Sequence, residues 1–339
     1  MLLGDINNYF EKQRGNSGGY PRYLRCVVKE KTSSGYELCM ECVEENNADL
    51  WKRTDPWGFA AFDTARGKLG PSLDSLRFIM PTPTTGDRPK YEAFKRRISY
   101  LAANNDISIT MAVGDSEERL YTMLELSERP GEVVRSDFSK RGDEDTPGRL
   151  EKDFQTFLFG KGLHIGDAGA ERTNERLALF GRDFAKISKK SLAVEREFPT
   201  GAFAETVRND TRILPTEFVD FVTINKKGEL AIVELKFDAA PLEVIAQLLN
   251  YVLFFYSYKR ELAPLLDERL QCDSINAKIK GYLVSNVFHE RFNAVWLYYS
   301  RGTVILPFLV AFQSRAYAAL LSFIAGVMPP MPILGRSLL

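Results

Sequence analysis

The sequence predicts an α/β domain preceded by a smaller α+β domain, and three observations carry that reading. Downstream of residue 149, leaving aside a helix within a long connection, the periodicities follow one another in the order α, β, β, β, α, β, α, β. Within that order the strand 230–237, LAIVELKF, is nearly all apolar, the mark of a strand buried on both faces. Upstream, residues 136–148, SDFSKRGDEDTPG, are polar and charged, lack either period apart from one Phe, and end in Pro-Gly, the composition of an interdomain connection. The expected organisation is therefore 1–135 as an N-terminal α+β domain of unknown role, 136–148 as linker, and 149–339 as the α/β domain.

The first domain opens with an expected hairpin, because Leu24, Cys26 and Val28 alternate, residues 31–35 turn the chain, and Leu38, Met40 and Cys42 alternate again. Helices are expected over 91–103 and 116–128, flanking a strand at 107–113, and the stretch 81–89 (PTPTTGDRP) reads as a loop. In the second domain the pattern predicts helix 149–159, then a long polar connection with a helix near 174–185. Strands follow at 192–198, 217–225 and 229–237, then helix 242–258, strand 278–284, helix 289–299 and strand 303–312. Neither half contains an internal repeat or low-complexity tract.

With 45 basic against 45 acidic side chains, 45% hydrophobic and 12% aromatic residues, the chain has the make-up of a folded globular protein. No stretch reaches the roughly 18 consecutive apolar residues of a membrane span; the nearest, 316–328, is short and follows Arg315. The opening residues lack a basic start followed by an apolar core, so no secretory signal is expected and the cytoplasm is the default location. Cys26, Cys39, Cys42 and Cys272 in a chain of this length do not make a disulfide framework. His164 and His289, the two histidines, argue against catalysis by His pairs or a His-rich metal site. A net charge of zero neither requires a polyanionic partner nor forbids one.

Charges inside an apolar strand need a reason, since burying an unpaired ion costs several kcal/mol. In 230–237 those charges are Glu234 and Lys236, two apart and hence on one face, while Val233, Leu235 and Phe237 fill the other. The preceding Lys226-Lys227-Gly228 fits a three-residue hairpin loop closed by a left-handed glycine. Asn225 then faces Glu229, and the same register sets Asp220 opposite Glu234, with Cβ atoms about 4.5–5.5 Å apart. Asp220 also lies in an apolar strand, FVDFVTI, so two acids meet on one buried face, where a cation or a proton must relieve their repulsion. A hard divalent ion held by one or two carboxylates and completed by water is the expected relief. Glu151 falls on the apolar face of helix 149–159 and is the leading third acid, with Glu175, Glu195 and Glu197 as alternatives. On helix 242–258, Gln247 and Tyr251 stand one above the other. They either serve the site or satisfy each other in the core.

Asp220, thirteen intervening residues and Glu234-Leu235-Lys236, with Glu151 upstream and Gln247-x-x-x-Tyr251 downstream, resemble the signature of the PD-(D/E)XK nuclease superfamily, its RecB-like members in particular. The resemblance spans about 149–312, and the predicted elements match that family's restriction-endonuclease-like αβββαβ core with a mixed sheet. Val219 stands where the family pattern has Pro, a departure that leaves the metal ligands in place. The resemblance implies that Asp220, Glu234 and the carbonyl of Leu235 ligate Mg²⁺, with Mn²⁺ as a substitute. It implies that Lys236 orients or activates the attacking water, that Glu151 supports the metal shell, and that Gln247 and Tyr251 position the active site or the phosphate. The activity implied is metal-dependent phosphodiester hydrolysis, with DNA the expected nucleic-acid substrate, in restriction, defence or repair. A homodimer would suit cleavage of both strands of a duplex.

Two rivals stand beside this reading: a catalytically inactive nucleic-acid-binding module and a protein-interaction module on the same fold. Cys39-x-x-Cys42 with Cys26 has no fourth ligand nearer than Cys272, so core cysteines are expected rather than a zinc or iron–sulfur site. Trp51 and Trp57 are expected in the core rather than stacked on bases, and Arg96-Arg97 on a solvated helix face rather than on phosphate. His164 and His289 read as helix-edge or surface residues.

Overall fold

A computed structural model describes residues 3–32, 34–43, 50–134, 155, 194–225, 227–270, 272–302 and 308–311. The first half opens with α1 (Leu3–Gln13), followed by β1 (Leu24–Glu30) and β2 (Tyr36–Cys42), which pair antiparallel with Leu24 opposite Cys42, as the alternation predicts. β3 (Leu73–Met80) and β4 (Ser108–Val113) add in parallel, and the short β5 (Ser116–Glu117) closes a sheet of order β1-β2-β3-β4-β5. Parallel neighbours need crossovers. These are α2 (Leu50–Leu69), which the sequence reading did not foresee, and α3 (Arg88–Asn104).

The helix expected over 116–128 is corrected. Ser116 and Glu117 fold back on β4, and helix begins only at α4 (Met123–Ser127). Thr122 sets that start through a capping box: its hydroxyl accepts from the Glu125 N–H while the Glu125 carboxylate accepts from the Thr122 N–H. β6 (Glu132–Val134) ends the described first half.

In the second half, β7 (Val194–Pro199), β9 (Phe218–Ile224) and β10 (Leu230–Ala240) form an antiparallel meander. The helix α5 (Val244–Ser257) carries the chain over to β11 (Ile279–Phe288), which lies parallel to β10, and β12 (Phe308–Ala311) lies parallel to β11. The sheet order is β12-β11-β10-β9-β7, so the protein is α/β with mixed sheets. Additional to the expected elements are α6 (Lys259–Leu270), between α5 and β11, and β8 (Ala202–Ala204); α7 (Phe292–Tyr299) falls where a helix was expected. The linker 136–148 and the helix near 174–185 lie outside the described residues, as does helix 149–159 except Gln155, which is helical and buried. Among the described residues no helix is long and apolar enough to cross a membrane.

The halves meet over a broad front. A single hydrophobic cluster includes Phe59, Phe62, Phe78 and Phe94 from the first half with Leu248, Val252, Tyr298 and Tyr299 from the second. β6 pairs antiparallel with β8, so strand hydrogen bonds also cross between them. Trp51 and Trp57 are core residues, as expected.

Arg96 and Arg97, expected on a solvated face, are instead 2% and 0% exposed. Arg97 sends two hydrogen bonds to Asp55, of 2.7 and 2.9 Å, one to the Trp51 carbonyl and one to Asn250 on α5. Arg96 bonds Glu92, Glu132 and the Tyr258 hydroxyl. A buried guanidinium is tolerated only with its donors satisfied, and both arginines obtain their partners by bridging elements distant in sequence.

Candidate active site

The site is built on the β9–β10 hairpin. Asn225 N–H bonds the Glu229 carbonyl and Gly228 N–H the Asn225 carbonyl, while Gly228 takes φ +75°, so the turn has the left-handed glycine its sequence predicts. The Asn225 side-chain oxygen also accepts from the N–H groups of Lys227 and Glu229, fixing the loop. Leu230 then faces Ile224 and Val233 faces Phe221, which is the predicted register; the ladder ends there, one rung short of the predicted Asp220–Glu234 pair.

At Asp220 the ladder changes character. Its Oδ2 accepts the Leu235 N–H at 2.6 Å, so a side chain occupies the place a strand carbonyl would normally take. N–H and C=O of one strand residue point to the same side, so Leu235 also turns its carbonyl toward β9. Asp220 Oδ1 accepts from the Gln155 amide at 3.0 Å, and the Gln155 oxygen accepts from Arg196 Nε on β7 at 3.0 Å. Glu234 is 2% exposed and pairs with Lys236 at 2.8 Å, as expected for two side chains on one face.

On the other flank of β9, Arg196 faces Phe221 and Phe198 faces Val219; the rung between them, Glu197 opposite Asp220, is missing from the ladder. Glu197 holds φ +51°, a conformation costly for a residue with a side chain.

The α5 helix closes the site from above. Gln247 donates to the Tyr251 hydroxyl at 2.8 Å and that hydroxyl donates to the Phe218 carbonyl at 3.0 Å, which ties the helix to β9. Burial raises the Tyr251 pKa well above the ordinary phenol value, and the negative charges of Glu234, Glu217 and Asp220 add to the rise while the Gln247 bond opposes it. Tyr251 is therefore a protonated phenol facing three acids. Two of these belong to the predicted set. The third, Glu217, precedes β9 and pairs at 2.7 Å with Lys52 of α2, so the first half places a cation at the rim of the site.

The structure thus brings together Asp220, Glu234, Leu235, Lys236, Gln247 and Tyr251, while Glu151 lies outside the described residues. Of the alternative third acids, Glu195 is paired with Arg269 and Glu175 lies outside the described residues. Gln155, Arg196 and Glu217 were not read from the sequence as part of the site. Gln155 stands four residues beyond Glu151, on the same helical face, and that spacing was the one signal available.

Among the described residues no group of three or more His, Cys, Asp and Glu is arranged to hold a metal. Two carboxylates on adjacent strands and a backbone carbonyl nevertheless suit an ion such as Mg²⁺, which takes one or two carboxylates and keeps several waters. The cysteines do not compete for that role. Burial pushes Cys26 and Cys42 up to about 12, and Cys39 and Cys272 up to about 11, so they rest as thiols. His289 packs edge-on against Trp57, its Nδ1 accepting the Arg291 N–H, and burial lowers its pKa. No protein-family model matches this chain and no curated protein matches its sequence.

Proposed function

We propose that the chain is a Mg²⁺-dependent nuclease of PD-(D/E)XK type that hydrolyses phosphodiester bonds of DNA. The observation that carries the reading is the pairing register of the hairpin, Val233 opposite Phe221, from which Asp220 and the buried Glu234 are the next residues of their strands, with Lys236 on Glu234 at 2.8 Å. The antiparallel β7-β9-β10 meander and the α5 crossover to a parallel β11 support it, being the strand arrangement expected of a restriction-endonuclease-like core.

Asp220, Glu234 and the Leu235 carbonyl would hold the ion. When bound, it would supply a water of lowered pKa and neutralise charge on the phosphoryl oxygens. The other work falls to the chain. Lys236, its ammonium held beside Glu234, would orient or activate the attacking water. Tyr251 holds α5 against β9 and keeps its proton, so it acts as a donor and not as a base. Gln247, bonded to Tyr251, orients that phenol.

The test is cleavage of single-stranded, duplex and branched DNA and of RNA in Mg²⁺, Mn²⁺ or EDTA, with Lys236→Ala as the comparison. The expected outcome is cutting that needs the metal and falls by at least about 100-fold in the variant, the scale of losing one transition-state donor, in protein that circular dichroism shows to be folded. Cutting that persists in EDTA or survives the substitution would exclude this site as its source. Binding of DNA without cutting, with a steep salt dependence, would instead favour an inactive binding module.

A further inference from the structure

Between β7 and β9 a line of side chains ends on Asp220. Arg196 Nε donates to the Gln155 oxygen at 3.0 Å, and Gln155 Nε2 donates to Asp220 Oδ1 at 3.0 Å, with the Asp220 carbonyl at 3.5 Å from the same nitrogen. An amide could in principle be turned either way, but a guanidinium has no acceptor. The oxygen of Gln155 must therefore face Arg196, which leaves the NH₂ for Asp220. The amide is 4% exposed, so water does not readily replace either bond. From the opposite side the Leu235 N–H holds Oδ2. Each carboxylate oxygen is thus held by a donor of the chain.

We infer that Gln155, oriented by Arg196, is the positioning residue that sets the plane of the Asp220 carboxylate for a divalent cation. This rests on the metal-nuclease reading. Donors of this kind orient a ligating group and limit its rotation, and losing one typically weakens metal affinity by about 10- to 100-fold. The assignment gives Arg196 a purpose as well. Through its bond to the Gln155 oxygen it fixes the amide with the NH₂ toward Asp220.

The test is Mn²⁺ binding to the full chain, followed by the electron paramagnetic resonance of free Mn²⁺, in wild type, Gln155→Met, Asp220→Asn and the double variant. Methionine matches glutamine in length and has no N–H donor. The inference expects Gln155→Met to bind Mn²⁺ about 10- to 100-fold more weakly, and to add little further loss once Asp220 is already Asn. A purely structural role for Gln155 would lower the melting temperature and leave the two losses additive, which overturns the inference. Affinity unchanged in Gln155→Met overturns it while leaving the nuclease reading intact. Absence of Mn²⁺ binding by the wild type overturns both. Should Gln155→Met fail to fold, Arg196→Met tests the same relay from its other end, since the amide is then free to turn its oxygen toward Asp220; the same loss is expected, and unchanged affinity refutes it.

Discussion

Arg97 and Asp55 have side chains with no solvent exposure, and Tyr299 donates to the same carboxylate at 2.5 Å. Burial alone would favour a neutral Arg97, but the Asp55 charge outweighs it and holds the pKa above the ordinary value. Removing one partner of such a pair leaves the other charged and dry. Arg97→Met is accordingly expected to lower stability by about 3–5 kcal/mol, read as a fall in the urea midpoint; a loss under about 1 kcal/mol would mean that water reaches Asp55. Two adjacent arginines on a helix look like a solvated face when read locally, because Asp55, the partner of Arg97, stands 42 positions earlier and Glu132 and Tyr258, partners of Arg96, stand 36 and 162 positions later. The reverse holds at the candidate site. Asp220 and Glu234 were legible because a short turn with Gly228 sets their register, whereas Gln155, far from β9 in sequence, was not, and Glu217, at the start of the predicted strand, gave no sign of its place near Tyr251 of α5.

The helix α2 shows why one element escaped a reading by periodicity. Pro56 and Gly58 interrupt its middle, and both normally argue against a helix interior. Burial overrides the local preference: Trp51, Trp57, Phe59 and Phe62 are all buried, so more than one face of the helix meets protein. Gly58 is required by close approach, since a Cβ there would stand 2.6 Å from the ring of Phe78, itself fully buried in β3. Gly58→Val is therefore expected to destabilise the protein by about 1–3 kcal/mol in a denaturant titration. A neutral or stabilising result would show that the helix can shift away from the sheet. The strands of the second half were legible for the opposite reason: β9 and β10 are short apolar runs with turn residues between them, and their length and turn chemistry agree.

At the scale of the molecule, the two halves depend on one another. Helix α5, which carries Gln247 and Tyr251, is buried along most of its length, with Asn250 bonded to Arg97, Ser257 to the Leu126 carbonyl and Glu243 just ahead of it to Trp57. Without residues 1–135 this helix would expose apolar side chains and lose those bonds. The fragment 136–339 is expected to be insoluble or to lack a cooperative thermal transition, checked by circular dichroism; a sharp melt would show that the second half folds alone. The bond between the Leu235 amide and the Asp220 carboxylate has a further consequence. Main-chain cohesion at the centre of the sheet depends there on the electron density of one acidic group. In the proposed nuclease a cation drawing on that group would weaken the bond, and by reciprocity any loosening of β9 from β10 would alter the affinity for the cation. Occupancy of the proposed site would thereby be thermodynamically linked to the local stiffness of the sheet.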